Sequence, residues 1–109
     1  MNRSETMETK YSVPSVSTDH SSAANMIKVS ANSRTSAVAG AIAGVVREHR
    51  HAEVQAIGAG AVNQAVKALV LATGYLKLDG INVTCTPEFA DVTIEDKVRT
   101  AIKLVIDPE

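Results

Sequence analysis

Residues 54–67 read VQAIGAGAVNQAVK. An alternating strand pattern runs into a Gly-x-Gly turn, and an Ala/Val pattern with helical spacing follows at once. A strand that becomes a helix within three residues needs a sheet to pair with and a sheet face for the helix to lie on. A similar unit precedes it. Met26–Ser30 (MIKVS) reads as a strand, with Ile27 and Val29 pointing one way and Lys28 the other. Ala31–Thr35 (ANSRT) is a polar loop whose Ser and Thr offer N-cap oxygens. The spacing then predicts a helix over 36–49, where Val38, Ile42, Val45 and His49 recur at three- and four-residue intervals with Ala41 beside them. Gly40 and Gly44 each cost roughly 1 kcal/mol of helix propensity, and close packing on a sheet is the expected reason for them. Arg47 and Arg50 suit the negative end of the helix dipole.

The second unit has a strand over 53–57 and a helix over 61–73. Val62, Ala65, Val66, Leu69 and Thr73 form its expected buried stripe, with Asn63, Gln64 and Lys67 on the exposed side and Gly74 as a C-cap. Asp79-Gly80 marks a turn before a strand over 81–86, which bends at Pro87 and resumes over 91–94. Glu95-Asp96-Lys97 reads as a hairpin tip, and 100–106 (TAIKLVI) as the last strand. The order β-α-β-α-β-β predicts an α/β two-layer sandwich, a four-stranded mixed sheet with both helices on one face.

Composition sets the limits. Residues 1–25 hold nine Ser or Thr with few apolar side chains, and read as a disordered leader. Residues 26–109 hold 14 Ala, 12 Val, seven Ile and five Leu, with nine basic and nine acidic residues, so the predicted domain is formally neutral. That balance gives no sign of a strongly basic nucleic-acid binder. Aromatics amount to 3%, which argues against modules that stack bases on several rings. No apolar run reaches the roughly 20 residues that span a bilayer, and no secretory signal is visible, so a cytoplasmic protein without membrane contact is expected. Cys85, the single cysteine, excludes an internal disulfide and reads as a buried small hydrophobe. No nucleophile–base–orienter set is visible, so neither catalysis nor a cofactor is expected.

Three segments invite a functional reading. Gly58 and Gly60 let a backbone approach an anion at a helix start, but Asn63 stands where a dinucleotide fingerprint has its third glycine. They serve equally well as a tight strand-to-helix turn. Asn63, Gln64 and Lys67 form either a polar binding stripe near that helix start or an ordinary solvated face. Ser30–Thr35 brings Arg34 and three hydroxyls within reach of phosphate oxygens, or is simply a capped polar loop. His49-Arg50-His51, with no further Cys or His partner set, reads as a solvated helix end rather than a zinc site.

The runs IKVSANSRTSAVAGAIAGVVREHR, AEVQAIGAGAVNQAVKAL and RTAIKLVIDPE resemble the stage V sporulation protein S family over essentially 26–109. That resemblance implies an Alba-like fold, a role in bacterial sporulation and septation, and, through the Alba-like superfamily, nucleic-acid binding by a homodimer. It implies contacts from the first loop (Ser30, Asn32, Ser33, Arg34), from the start of the second helix (Gly58, Gly60, Asn63, Gln64, Lys67) and from the hairpin (Lys97, Arg99). The first loop has one basic residue where Alba proteins tend to carry adjacent lysines, and the hairpin tip is more acidic than basic. A dimer presenting Arg34, Lys67 and Arg99 twice neutralises about six phosphates at most. Weak or structure-specific binding is the expectation. Two other readings stay open: a developmental protein-interaction module without a nucleic-acid role, and a small anion or nucleotide binder at the Gly58–Gly60 turn.

Overall fold

A computed structural model of the chain describes residues 25–109. The leader expected over 1–25 lies, Asn25 excepted, outside the described residues. The elements run β1 (Met26–Val29), α1 (Thr35–His49), β2 (Ala52–Ala56), α2 (Ala59–Leu78), β3 (Val83–Ile94) and β4 (Lys97–Pro108). They form one four-stranded mixed sheet in the order β1-β2-β4-β3, with both helices on one face. This is the two-layer α/β arrangement the sequence predicts, and it is consistent with an Alba-like fold. β1 and β2 are parallel, with Val29 beside Ala56, whereas β4 runs antiparallel to both β2 and β3.

Strand alternation builds the core. Ala52, Val54 and Ala56 of β2 are buried, while Glu53 and Gln55 face away from the helices. Nine of the seventeen buried hydrophobic residues are alanines, so the helices sit close to each other and to the sheet. On α1 the buried set is Val38, Ala39, Ile42, Ala43 and Val46, while Ala41 and His49 are exposed. On α2 it is Ala61, Ala65, Ala68, Ala72 and Leu76. Of the expected α2 stripe, Ala65 is buried and Val62 and Leu69 pack against the core, whereas Val66 lies outside; small side chains take the innermost positions, where backbones come close. Gly40 and Gly44 are exposed, and a Cβ on either would meet nothing within 4 Å. Close packing does not explain them.

Helix α2 continues past Gly74 to Leu78, five residues beyond the expected end, because Leu76 completes the buried stripe one turn on. Thr73, half-buried, donates its hydroxyl to the Leu69 carbonyl at 2.8 Å. Nor does β3 break at Pro87. It is a continuous edge strand, the one position where a residue without an N–H leaves the sheet pairing intact. Glu95 (φ 51°) and Asp96 (φ 65°) alone form the hairpin turn, both left-handed, and Lys97 already pairs with Ile94. Such a two-residue turn suits the twist of the flanking strands. Cys85 is exposed rather than buried, because neither helix extends appreciably over β3. The partial desolvation it keeps pushes its thiol pKa up, which favours the unreactive thiol form.

Candidate functional site

The parallel strands β1 and β2 end side by side at Val29 and Ala56, and both helices start there. This is the edge at which open α/β sheets usually bind ligands. Arg34 is the N-cap of α1 and Gly58 that of α2; neither helix has a side-chain cap or an acidic residue in its first turn. The loop hydroxyls thus do not cap α1. Instead Ser33 Oγ accepts the Ser30 N–H at 2.9 Å, Ser30 Oγ accepts the Asn32 N–H at 3.2 Å, and the Ser33 N–H returns to the Ser30 carbonyl at 3.1 Å. The loop closes on itself and leaves both helix starts without side-chain caps.

Gly58 holds φ +93° and ψ 156°, a region open essentially to glycine alone, and this lets β2 turn into α2 without a longer loop. Gly60 serves a different need. A Cβ there would lie 2.9 Å from the Ala31 Cβ, so the first loop and α2 meet in direct contact. Gln64, one turn further along, donates its side-chain amide to the Ser33 carbonyl at 2.8 Å and to Thr35 Oγ1 at 3.2 Å. It is half-buried, not on the solvated side where the sequence pattern places it. Asn32, Arg34, Asn63 and Lys67 are exposed, and Arg34 and Lys67 have no carboxylate partner among the described residues. The candidate residues therefore divide into a framework of Ser30, Ser33, Gly58, Gly60 and Gln64 and an outward set of Asn32, Arg34, Asn63 and Lys67. Two helix starts and a guanidinium at one sheet edge, with the Lys67 ammonium about 12 Å further along α2, favour an anion.

Lys97 and Arg99 lie apart from this cluster. Ile102 pairs with Ala56, so Lys97 stands five residues, about 17 Å, beyond the ends of β1 and β2 on a projecting β3–β4 arm. The same register places Arg99 about 10 Å out. Both alternate with Lys103 onto the sheet face away from the helices, where Lys103 lies 3.8 Å from Glu53 and 3.7 Å from Glu88. The arm points away from the same end as the loop cluster but presents its cations on the other side of the sheet.

One cluster escaped the sequence reading. His51 is half-buried, its Nδ1 2.6 Å from Asp107 Oδ1 and its Nε2 2.9 Å from Glu53 Oε2. It is not a solvated helix end; Arg50, at φ 58°, already reverses the chain before it. The Asp107 and Glu53 hydrogen bonds raise the imidazole pKa above its ordinary value. Alternation of 51, 53 and 55 on one sheet face was the available sign, but the pairing with Asp107 depends on the β2–β4 register. No group of three His, Cys, Asp or Glu side chains suited to a metal ion occurs among the described residues, and no described helix is long and apolar enough to cross a membrane.

The model of the family described as stage V sporulation protein S matches residues 25–109, more than three quarters of the chain. The chain belongs to that family. Its match begins one residue before β1 and takes in all six elements, including both helix starts and the arm. The protein is thus a small member of a sporulation-related family, as the quoted runs imply.

Proposed function

We propose that the domain is a non-enzymatic regulator that binds nucleic acid as a homodimer, holding phosphates at the common start of α1 and α2. The observation that carries this reading is the junction of the Arg34 loop with the first turns of α2, where the exposed Arg34 and two uncapped helix starts share one edge and Lys67 is exposed further along α2. Phosphate oxygens accept from such N–H groups, and Arg34 adds a fork of donors. Lys97 and Arg99, on the other face of the sheet, offer a separate contact along the arm. Glu95 and Asp96 oppose them there, so the grip is modest and steeply weakened by salt.

Anisotropy titration of labelled DNA and RNA over a salt series tests this. Saturable binding at low salt is expected, with Arg34→Ala and Lys67→Ala each making the slope of log K against log salt shallower by about 1.8, two contacts per dimer at about 0.9 each. Binding left unchanged by the double substitution refutes the assignment.

A protein-interaction role has its own support. Val66, Val70 and Leu78 of α2 are 46%, 66% and 87% exposed, and Phe89 and Val98 of the arm are 80% and 68% exposed. So much exposed aliphatic and aromatic surface favours a protein partner. A second copy of the chain is the occupant that makes both readings compatible, since a dimer doubles the phosphate-binding edge.

A further inference from the structure

The β1–α1 loop is short, polar and closed on itself by the Ser30–Ser33 bonds. Those bonds shape the loop but do not fix it to the rest of the molecule. Among the described residues, the side-chain hydrogen bonds that join it to α2 both come from Gln64. Their targets are the Ser33 carbonyl and the Thr35 hydroxyl, the residues on either side of Arg34. A carboxamide nitrogen carries two N–H donors in a rigid plane, so one side chain can hold both points at once. The backbone from which Arg34 projects is thereby clamped from both flanks, while the Arg34 side chain stays exposed. Gly60 completes the seat, since only a residue without a Cβ lets Ala31 lie against the first turn of α2.

We infer that Gln64 is a positioning residue for the phosphate-binding edge: its amide clamps the two residues flanking Arg34, so that Arg34 and Lys67 act on one ligand as a preformed surface, and Gln64 itself makes no contact with that ligand. The inference rests on the nucleic-acid reading above. It removes Gln64 from the contact residues that the sequence nominates, because both of its donors are already engaged. The energetic role follows. Without the clamp, binding must order the loop as well as desolvate the ion pairs, and ordering costs affinity.

Gln64→Met tests this, since methionine matches glutamine in length and helix propensity but offers no donor. Thr35→Val probes the same clamp from the loop side, and circular dichroism checks that both variants fold. In the free protein, amide hydrogen exchange at Ser30, Asn32 and Ser33, whose N–H groups are bonded within the loop, accelerates in both variants while exchange in β2 and β4 stays as before. Affinity for a labelled duplex or single strand falls about tenfold in Gln64→Met. In an Arg34→Ala background the same substitution costs little more, because a residue acting through Arg34 has nothing left to position. Unchanged exchange at Ser30, Asn32 and Ser33 overturns the inference alone. Faster exchange with fully additive affinity losses also overturns it, because Gln64 then acts on the ligand independently of Arg34. Absence of any binding by the unsubstituted protein overturns the nucleic-acid reading and this inference with it.

Discussion

A few single residues carry conditions that no substitution of similar chemistry meets. Gly58 is held by its dihedral angles and Gly60 by the space left beside Ala31, so alanine fails at each for a different reason. Gly58→Ala is expected to lower unfolding free energy by about 1–3 kcal/mol through backbone strain. Gly60→Ala places a Cβ 2.9 Å from the Ala31 Cβ and so forces the loop and helix apart, and is expected to weaken nucleic-acid binding more than it lowers the urea midpoint. Parallel denaturation and anisotropy measurements check the pair. His51 sets a pH dependence. Its imidazole pKa is raised in the fold by the hydrogen bonds to Asp107 and Glu53, so its contribution to stability is complete below the ordinary value of 6.5 and is lost as pH rises through the folded value. The stability advantage of the native protein over His51→Gln should therefore be largest near pH 6 and shrink towards pH 8.5. Urea midpoints measured across that range decide it, and an advantage that grows with pH refutes the assignment.

Among the elements, the two helices and the arm differ in how much of their sequence their surroundings explain. Gly40 and Gly44 lie on the open side of α1 with no atom near a prospective Cβ, so alanine at each should add about 0.5–1 kcal/mol of stability. A higher urea midpoint with unchanged oligomeric mass is the expected result for Gly40→Ala with Gly44→Ala. The hairpin turn is a second place where the sequence departs from the local optimum. Glu95 and Asp96 both occupy left-handed conformations that asparagine and glycine adopt with less strain. Glu95→Asn with Asp96→Gly should stabilise the arm by about 1 kcal/mol. It also removes two negative charges beside Lys97 and Arg99, so affinity for nucleic acid should rise at low salt. Anisotropy with the double variant reads that directly.

For the molecule as a whole, the described residues extend over 42 × 27 × 27 Å, and the arm runs well past the ends of the parallel strands. The core is built largely of alanine, which lets helices pack closely but leaves larger apolar groups of α2 and the arm outside it. A second copy that covers Val70 and Phe89 accounts for that distribution. Light scattering is expected to give about twice 11.5 kDa. Val70→Asp with Phe89→Asp is expected to return the mass to that of one chain, since burying two new carboxylates at an apolar contact is strongly unfavourable. A single-chain mass for the unsubstituted protein removes the homodimer from the proposal.

The order of elements and the four-stranded mixed sheet with both helices on one face were legible in the sequence. Each depends on local periodicity and on glycine or polar breaks, which act over a few residues. The inward face of α2 was legible only in part: Val62, Ala65 and Leu69 meet the core, but Val66 does not and Ala61, Ala68 and Ala72 do, because alanine and valine are both apolar and only the helix–helix distance decides which of them fits inside. Nor was the passage of β3 through Pro87, which its edge position permits, or the pairing of His51 with Asp107 across 56 residues. The division of the candidate residues into framework and outward sets was likewise settled by the fold. Ser33, Arg34 and Gln64 look equally polar in sequence, and only the packing of the loop against α2 turns one amide inward and leaves the guanidinium free. Sequence fixes what each segment can form; contacts between distant segments choose which side of it meets water.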